Sequence, residues 1–214
     1  VLYRLAEDAA CVVSDDYPTF IAAQHNRSVP DRLKVSYEVV DSSCIVPMNT
    51  WVKREYAAYT IRPKIRKVLA QHLEACPEPE VSQVWRGPAP RWHTPVCAAN
   101  IAELVASCEI DHRVKPSISY CGGRKAAERV LEHFLERNLR RYAKDRNDPA
   151  AHATSDLSPY LHFGMISSLE VALAAQRHAE EHKLIADEFL EELIVRRELA
   201  FNYARHVEHP ESLC

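Results

Sequence analysis

The sequence predicts an α/β fold, a Rossmann-like parallel-sheet domain followed by an all-α part, and three observations carry that prediction. Two short apolar runs, residues 9–14 and 35–40, each stop at polar residues (Asp15-Asp16 and Asp41-Ser42-Ser43). They enclose a helical stretch at 20–26, which gives the strand–helix–strand order of a right-handed parallel unit. Residues 77–97 hold Pro77, Pro79, Pro88, Pro90 and Pro95, the mark of a connector. From Gly122-Gly123 onward, apolar residues recur at three- and four-residue steps. The expected division is therefore 1–76, α/β; 77–121, Pro-rich connector; and 122–214, helical.

The run Ala9-Ala10-Cys11-Val12-Val13-Ser14 suits a strand buried in a parallel sheet. Loops after the carboxyl ends of such strands form ligand crevices. Asp15-Asp16 and Asp41-Ser42 sit at that edge, as ligand contacts or as turn residues. Residues 53–67 carry seven charges, six of them basic, and Pro63 is expected at the first position of a helix running toward Cys76. The connector holds Trp85 and Trp92 and is interrupted by a short helix near 98–107, before Pro116.

Residues 124–146 hold eight Lys/Arg against four Asp/Glu, and Val130, Leu131, Phe134, Leu135 and Leu139 form an amphipathic stripe. Asn147-Asp148-Pro149 ends that helix. Ser158 reads as the N-cap of the next one, with Pro159 at its first position. Ser167 and Glu170 have capping-box spacing and open a third helix. A fourth runs from about residue 186 to 205.

Composition narrows the function. The 214 residues include only 4 glycines, so neither G-x-G-x-x-G nor G-x-x-x-x-G-K-[ST] can be written, which excludes the two commonest phosphate loops. The net charge of −3 gives no whole-chain support for nucleic-acid binding, so a basic face has to be local. The 7 cysteines are odd in number, widely spread and without a C-x-x-C pair. That argues against a disulfide framework and a structural zinc site, and suits a reducing cytoplasm. No apolar run approaches the roughly 18 residues of a membrane span. The first eight residues carry acids, unlike a signal peptide, and lack an initiator Met, so the sequence is read as a piece of a longer product.

Chemistry concentrates in three places. At about 100° per residue, Glu188, Glu191, Glu198, Asn202 and Arg205 gather on one polar side of the fourth helix. Glu192 and Arg196 stack one turn apart on a different strip, flanked by Phe189 and Leu199. They read either as a structural buried ion pair or as a strip facing a polar ligand. Thr154-Ser155-Asp156-Leu157-Ser158 offers hydroxyls and a carboxylate before a helix start, either as an anion site or as helix capping. Tyr142 and Arg146 lie one turn apart on the basic helix. His178 and His182 have i, i+4 spacing without the glutamate placement of H-E-x-x-H, and read as a solvated helix end. There is no G-x-S-x-G motif.

Several strings together resemble class II cyclobutane pyrimidine dimer photolyases. They are Lys53-Arg54-Glu55-Tyr56-Ala57-Ala58, Thr60-Ile61-Arg62-Pro63-Lys64-Ile65, Arg146-Asn147-Asp148-Pro149, Leu157-Ser158-Pro159-Tyr160-Leu161-His162-Phe163-Gly164 and Glu191-Glu192-Leu193-Ile194-Val195-Arg196-Arg197-Glu198-Leu199. The resemblance implies a partial antenna-type α/β domain followed by the N-terminal part of a helical FAD-binding domain. Reduced FAD is the implied cofactor, with a possible antenna chromophore, and damaged DNA the implied partner of a monomer without a metal.

Carried over by motif, Tyr142, Thr154, Ser155, Asp156, Leu157, Ser158, Phe189 and Arg196 would line the FAD. Glu192 matches the active-site glutamate that bonds the damaged bases, and Arg146 and Arg197 are lesion or phosphate contacts. The implied reaction is light-driven electron donation from reduced FAD to the dimer, which splits the cyclobutane ring. Tyr59 stands where the family motif has Arg. The later helices that complete the flavin bowl and carry the Trp relay have no counterpart in the sequence, so activity in this chain is a separate matter from ancestry. The same scaffold would also suit a flavin-binding photoreceptor or a cofactor-free helical interaction module.

Overall fold

The two apolar runs pair as a parallel ladder: β1 (Cys11–Asp15) lies beside β2 (Ser36–Val40), with Val12 opposite Tyr37 and Ser14 opposite Val39. The protein is described here as a computed structural model covering residues 1–77, 80–84, 86–88 and 91–207. Pro79, Trp85 and Pro90 of the Pro-rich stretch, and Cys214, lie outside the described residues. A short helix, α1 (Leu2–Leu5), precedes the sheet, and the crossover helix is α2 (Phe20–Ser28). Tyr37 donates its hydroxyl to Asn26 Oδ1 at 2.6 Å, which ties α2 to the inner face of the ladder.

Pro63 is a correction. It sits inside α3 (Ala58–Val68) rather than at its start, and the helix ends well short of Cys76. Ala58, Ile61 and Ile65 are buried along one stripe of α3, and this tertiary packing draws the helix across the proline. The amide that Pro63 lacks is the one that would bond the carbonyl of Tyr59. Pro63→Ala is therefore expected to raise the unfolding free energy by about 1–2 kcal/mol, the restored helix bond outweighing the extra freedom of the unfolded chain. A thermal melt decides it, and a lower melting temperature would refute it.

Leu2–Cys76 and the chain from Gly122 onward make one compact unit, while Pro77–Cys121 cluster separately together with Val1. In that second stretch α4 (Ile101–Ala106) follows a loop closed on Asn100, whose side chain accepts from the Cys97 amide and donates to the Pro95 carbonyl.

The helical half is built on two long helices, each interrupted by a wide turn. In α5 (124–145), Arg124–His133 and Leu139–Asp145 flank a π-helical segment, Phe134–Asn138. Between α5 and the last helix come α6 (Ser158–His162) and α7 (Ser168–His182). In the last helix, α8 (187–206), Asp187–Leu190 and Arg197–His206 flank the π-helical segment Glu191–Arg196.

The core joins Ile45, Val46, Trp51, Ile61 and Ile65 to Leu131, Phe134, Val171, Phe189 and Leu193, so the segment after β2 packs directly into the helices. Ser167 caps α7 as its spacing predicts, accepting from the Glu170 amide at 3.0 Å. The Glu170 carboxylate does not complete the box, because it binds the Arg124 guanidinium instead. Ser158 is the first residue of α6 rather than its cap. Leu157, buried and already in helical geometry, shifts the start by one position.

Candidate functional site

Tertiary packing decides which side chains meet. On α8, Glu198 and Asn202, expected on a polar side, are covered by the segment after β2 and are 2% and 1% exposed. Glu198 Oε1 accepts the amides of Ile45 at 3.1 Å and Val46 at 2.9 Å. Asn202 accepts from the Glu55 amide and donates to the Lys53 carbonyl, and His206 Nε2 lies 3.0 Å from the Trp51 carbonyl oxygen. This row clamps the segment after β2 onto α8. Glu191, from the same expected polar side, instead meets the Arg62 guanidinium of α3, which holds its carboxyl below the usual range.

The Glu192–Arg196 pair does not form. Glu192 Oε1 accepts from Arg146 Nη1 at 2.6 Å, while the Arg196 side chain is 55% exposed and 4.0 Å from Glu191. Arg146, arriving from the end of α5, supplies the closer cation. Its guanidinium lies 5.7 Å from the centre of the Tyr142 ring, a cation–π geometry. Tyr142 in turn packs edge-on against Phe189 at 5.4 Å and Phe134 at 5.7 Å, and the two Phe rings are 4.6 Å apart. Burial pushes the Tyr142 phenol up from its ordinary pKa, partly opposed by its hydrogen bond with Arg146. The Glu192 carboxylate stabilises the charged Arg146 further.

Four sequence-predicted residues, Tyr142, Arg146, Phe189 and Glu192, thus share one cluster. Phe134 completes it. The sequence marked Phe134 only as part of an apolar stripe, and stripe membership is the signal that could have found it.

The loop 152–158 forms a second element of the site. Thr154 donates to Asp156 Oδ1 at 3.1 Å, and Ser155 Oγ accepts from the Leu157 amide at 3.4 Å. Thr154, Asp156 and Ser158 are exposed, Ser155 is half-buried and Leu157 is buried. His152 and Asp156 both hold positive φ, 47° and 54°, a conformation costly for residues with a Cβ. Asn138 of α5, which the sequence reading missed, donates to the His152 and Thr154 carbonyls.

Arg197 is placed apart from the aromatic cluster. It stacks over Phe201 and donates to the Ser43 carbonyl, and it lines a cavity of about 720 Å³ with Asp15, Tyr17, Ser42 and Ser158. The acids after the strands therefore divide. Asp41 is a turn residue, accepting the amides of Ser43, Cys44 and Met48, whereas Asp15 binds Ser42 at the cavity wall. His178 and His182 stack at 4.1 Å, and among the described residues no group of three or more potential metal ligands is assembled. Among the described residues no helix is long and apolar enough to cross a membrane.

The chain is similar to known proteins over most of its length. No protein-family model matches the chain. Over 220 residues it is 32% identical to the deoxyribodipyrimidine photo-lyase of Methanothermobacter thermautotrophicus, covering 100% of this chain and 45% of that protein. With the deoxyribodipyrimidine photo-lyase of Oryza sativa subsp. japonica it shares 36% over 186 residues, 84% of this chain and 36% of the relative. Cryptochrome-2 of Arabidopsis thaliana is 35% identical over 99 residues, 41% of this chain and 16% of the relative. The crystal structure of a bacterial class III photolyase from Agrobacterium tumefaciens superposes with a TM-score of 0.58 at 20% identity, over 97% of this chain and 44% of that one, which shows the fold. The chain spans less than half the length of these relatives.

Proposed function

We propose, from its membership of the photolyase and cryptochrome superfamily, that this chain is the part of a class II deoxyribodipyrimidine photolyase that carries the lesion-contacting glutamate. The observation that supports the reading is the Tyr142–Arg146–Phe189–Glu192 cluster, assembled from two helices over a separation of 46 residues between Arg146 and Glu192. The residues present fit a flavin dinucleotide. Thr154, Ser155 and Ser158 offer hydroxyls to a diphosphate, the half-buried Tyr142 offers an aromatic ring backed by the buried Phe189, and the exposed Arg196 offers a cation.

Reduced FAD, when bound, would supply the electron that opens the cyclobutane ring of a pyrimidine dimer. The chain does the rest. Arg146 orients the Glu192 carboxylate through a charge-assisted bond, leaving the carboxylate to accept hydrogen bonds from the flipped bases. Arg146 and the basic side of α5 would meet the phosphates.

The test is an absorption spectrum of the purified chain, before and after addition of FAD under reducing conditions. Bound flavin is the expected result, followed by light-dependent loss of dimers from irradiated oligonucleotide, with DNA binding that weakens steeply with salt. A chain that takes up no flavin would overturn the reading. Flavin held without repair would favour a photoreceptor, the reading to which the likeness to cryptochrome-2 points.

A further inference from the structure

Asn138 lies in the π-helical segment of α5, is 9% exposed, and directs its side chain away from its own helix. Its amide nitrogen donates to the His152 carbonyl at 3.1 Å and to the Thr154 carbonyl at 3.3 Å. Those two carbonyls bracket Ala153, which is buried at 1%. The Arg141 guanidinium, one turn along α5, takes the Ala151 carbonyl. The backbone gripped in this way contains His152 at φ 47°, with Asp156 at φ 54° just beyond. Conformations of that kind cost on the order of 1–3 kcal/mol each and persist only where the surroundings impose them.

The same face of α5 carries Phe134 one step before Asn138 and Tyr142 one step after, both in the aromatic cluster. One stretch of helix therefore registers the aromatic wall and the hydroxyl loop against each other. A ligand with a flat ring and a diphosphate requires those two surfaces at a fixed separation.

We propose that Asn138 is a positioning residue: it sets the Thr154–Ser158 loop at the distance from the Tyr142–Phe189 wall that a dinucleotide's diphosphate needs. This rests on the flavin reading above and adds to it a residue that touches no ligand. Its loss leaves the ring surface intact and displaces only the phosphate surface. The effect is then selective for ligands that possess a diphosphate.

Asn138→Leu keeps the branched shape and removes both donors. The experiment is fluorescence titration of wild type and variant with two probes, FAD and riboflavin, beside a thermal melt of each protein. Asn138→Ala repeats the comparison where the leucine does not fold. Affinity for FAD is expected to fall about tenfold while riboflavin binding stays within twofold, as the loss of the two positioning hydrogen bonds implies. Equal losses for both probes, or no loss for either, would overturn the role of Asn138, since a merely structural residue moves the two together. A wild type that binds neither probe would instead overturn the flavin reading, and this proposal with it.

Discussion

Phe134→Ala is expected to lower the unfolding free energy by about 3–5 kcal/mol, the range for deleting a buried aromatic ring. Phe134 is 1% exposed and touches both other rings of the cluster. Truncation removes the transfer energy of the ring, leaves a cavity between α5 and α8, and breaks an edge-to-face contact with Tyr142 worth about 0.5–1.5 kcal/mol beyond area. Tyr142 and Phe189 lose their common support, so the damage reaches the proposed ring surface as well. Urea denaturation measures it. A loss under about 1 kcal/mol would mean that the helices close over the gap, and that the cluster is less rigidly packed than its geometry indicates.

The second large effect concerns pH. Burial raises the Glu198 carboxyl from 4.5 to about 7, against the opposing pull of the Val46 and Ile45 amides it accepts, while Asp41 adds repulsion and Arg197 partly relieves it. Between those values the folded chain holds a proton that the unfolded chain has released, so this group's contribution to stability falls as pH rises through the window. It levels off above about 7. Glu198→Gln removes the titration and keeps an acceptor for both amides. The stability of the glutamine variant relative to wild type should therefore increase by on the order of 2–3 kcal/mol from about pH 4.5 to 7.5.

Taking the difference cancels Glu55 and Glu191. Their carboxyls are held low by Lys64 and Arg62, and they contribute in the opposite direction as acid is added. Denaturation midpoints at three pH values would show it. A difference that is flat with pH, or falls with it, would refute the raised carboxyl.

Glu198 also shows where sequence reasoning stops. Uniform helical geometry puts it beside Glu191 and Asn202 on a polar face, and polar faces are usually solvated. Its partners, the amides of Ile45 and Val46, lie 153 and 152 positions away, and no local pattern announces them. The Glu192–Arg196 pair failed for a related reason. Each residue has i+4 spacing to the other, but α8 is wound as a π-helix across both, and Arg146 comes from another helix to take the carboxylate. Pro63 shows the same rule at an element boundary, where packing of Ile61 and Ile65 outweighed the local preference of proline for a helix start.

What the sequence determined by itself was local or ancestral. The strand–helix–strand order of 11–40, the Ser167 cap, the extent of α5 and α8, and the kinship with photolyases all follow from neighbouring residues and motif strings. Only the tertiary structure decided that Glu192 belongs to Arg146, that Glu198 and Asn202 are buried, and that Asn138 grips the hydroxyl loop. The division has one physical cause. Caps and periodicity are set within a turn or two of chain, whereas the partner of a charge is set by whichever group the packed core brings nearest.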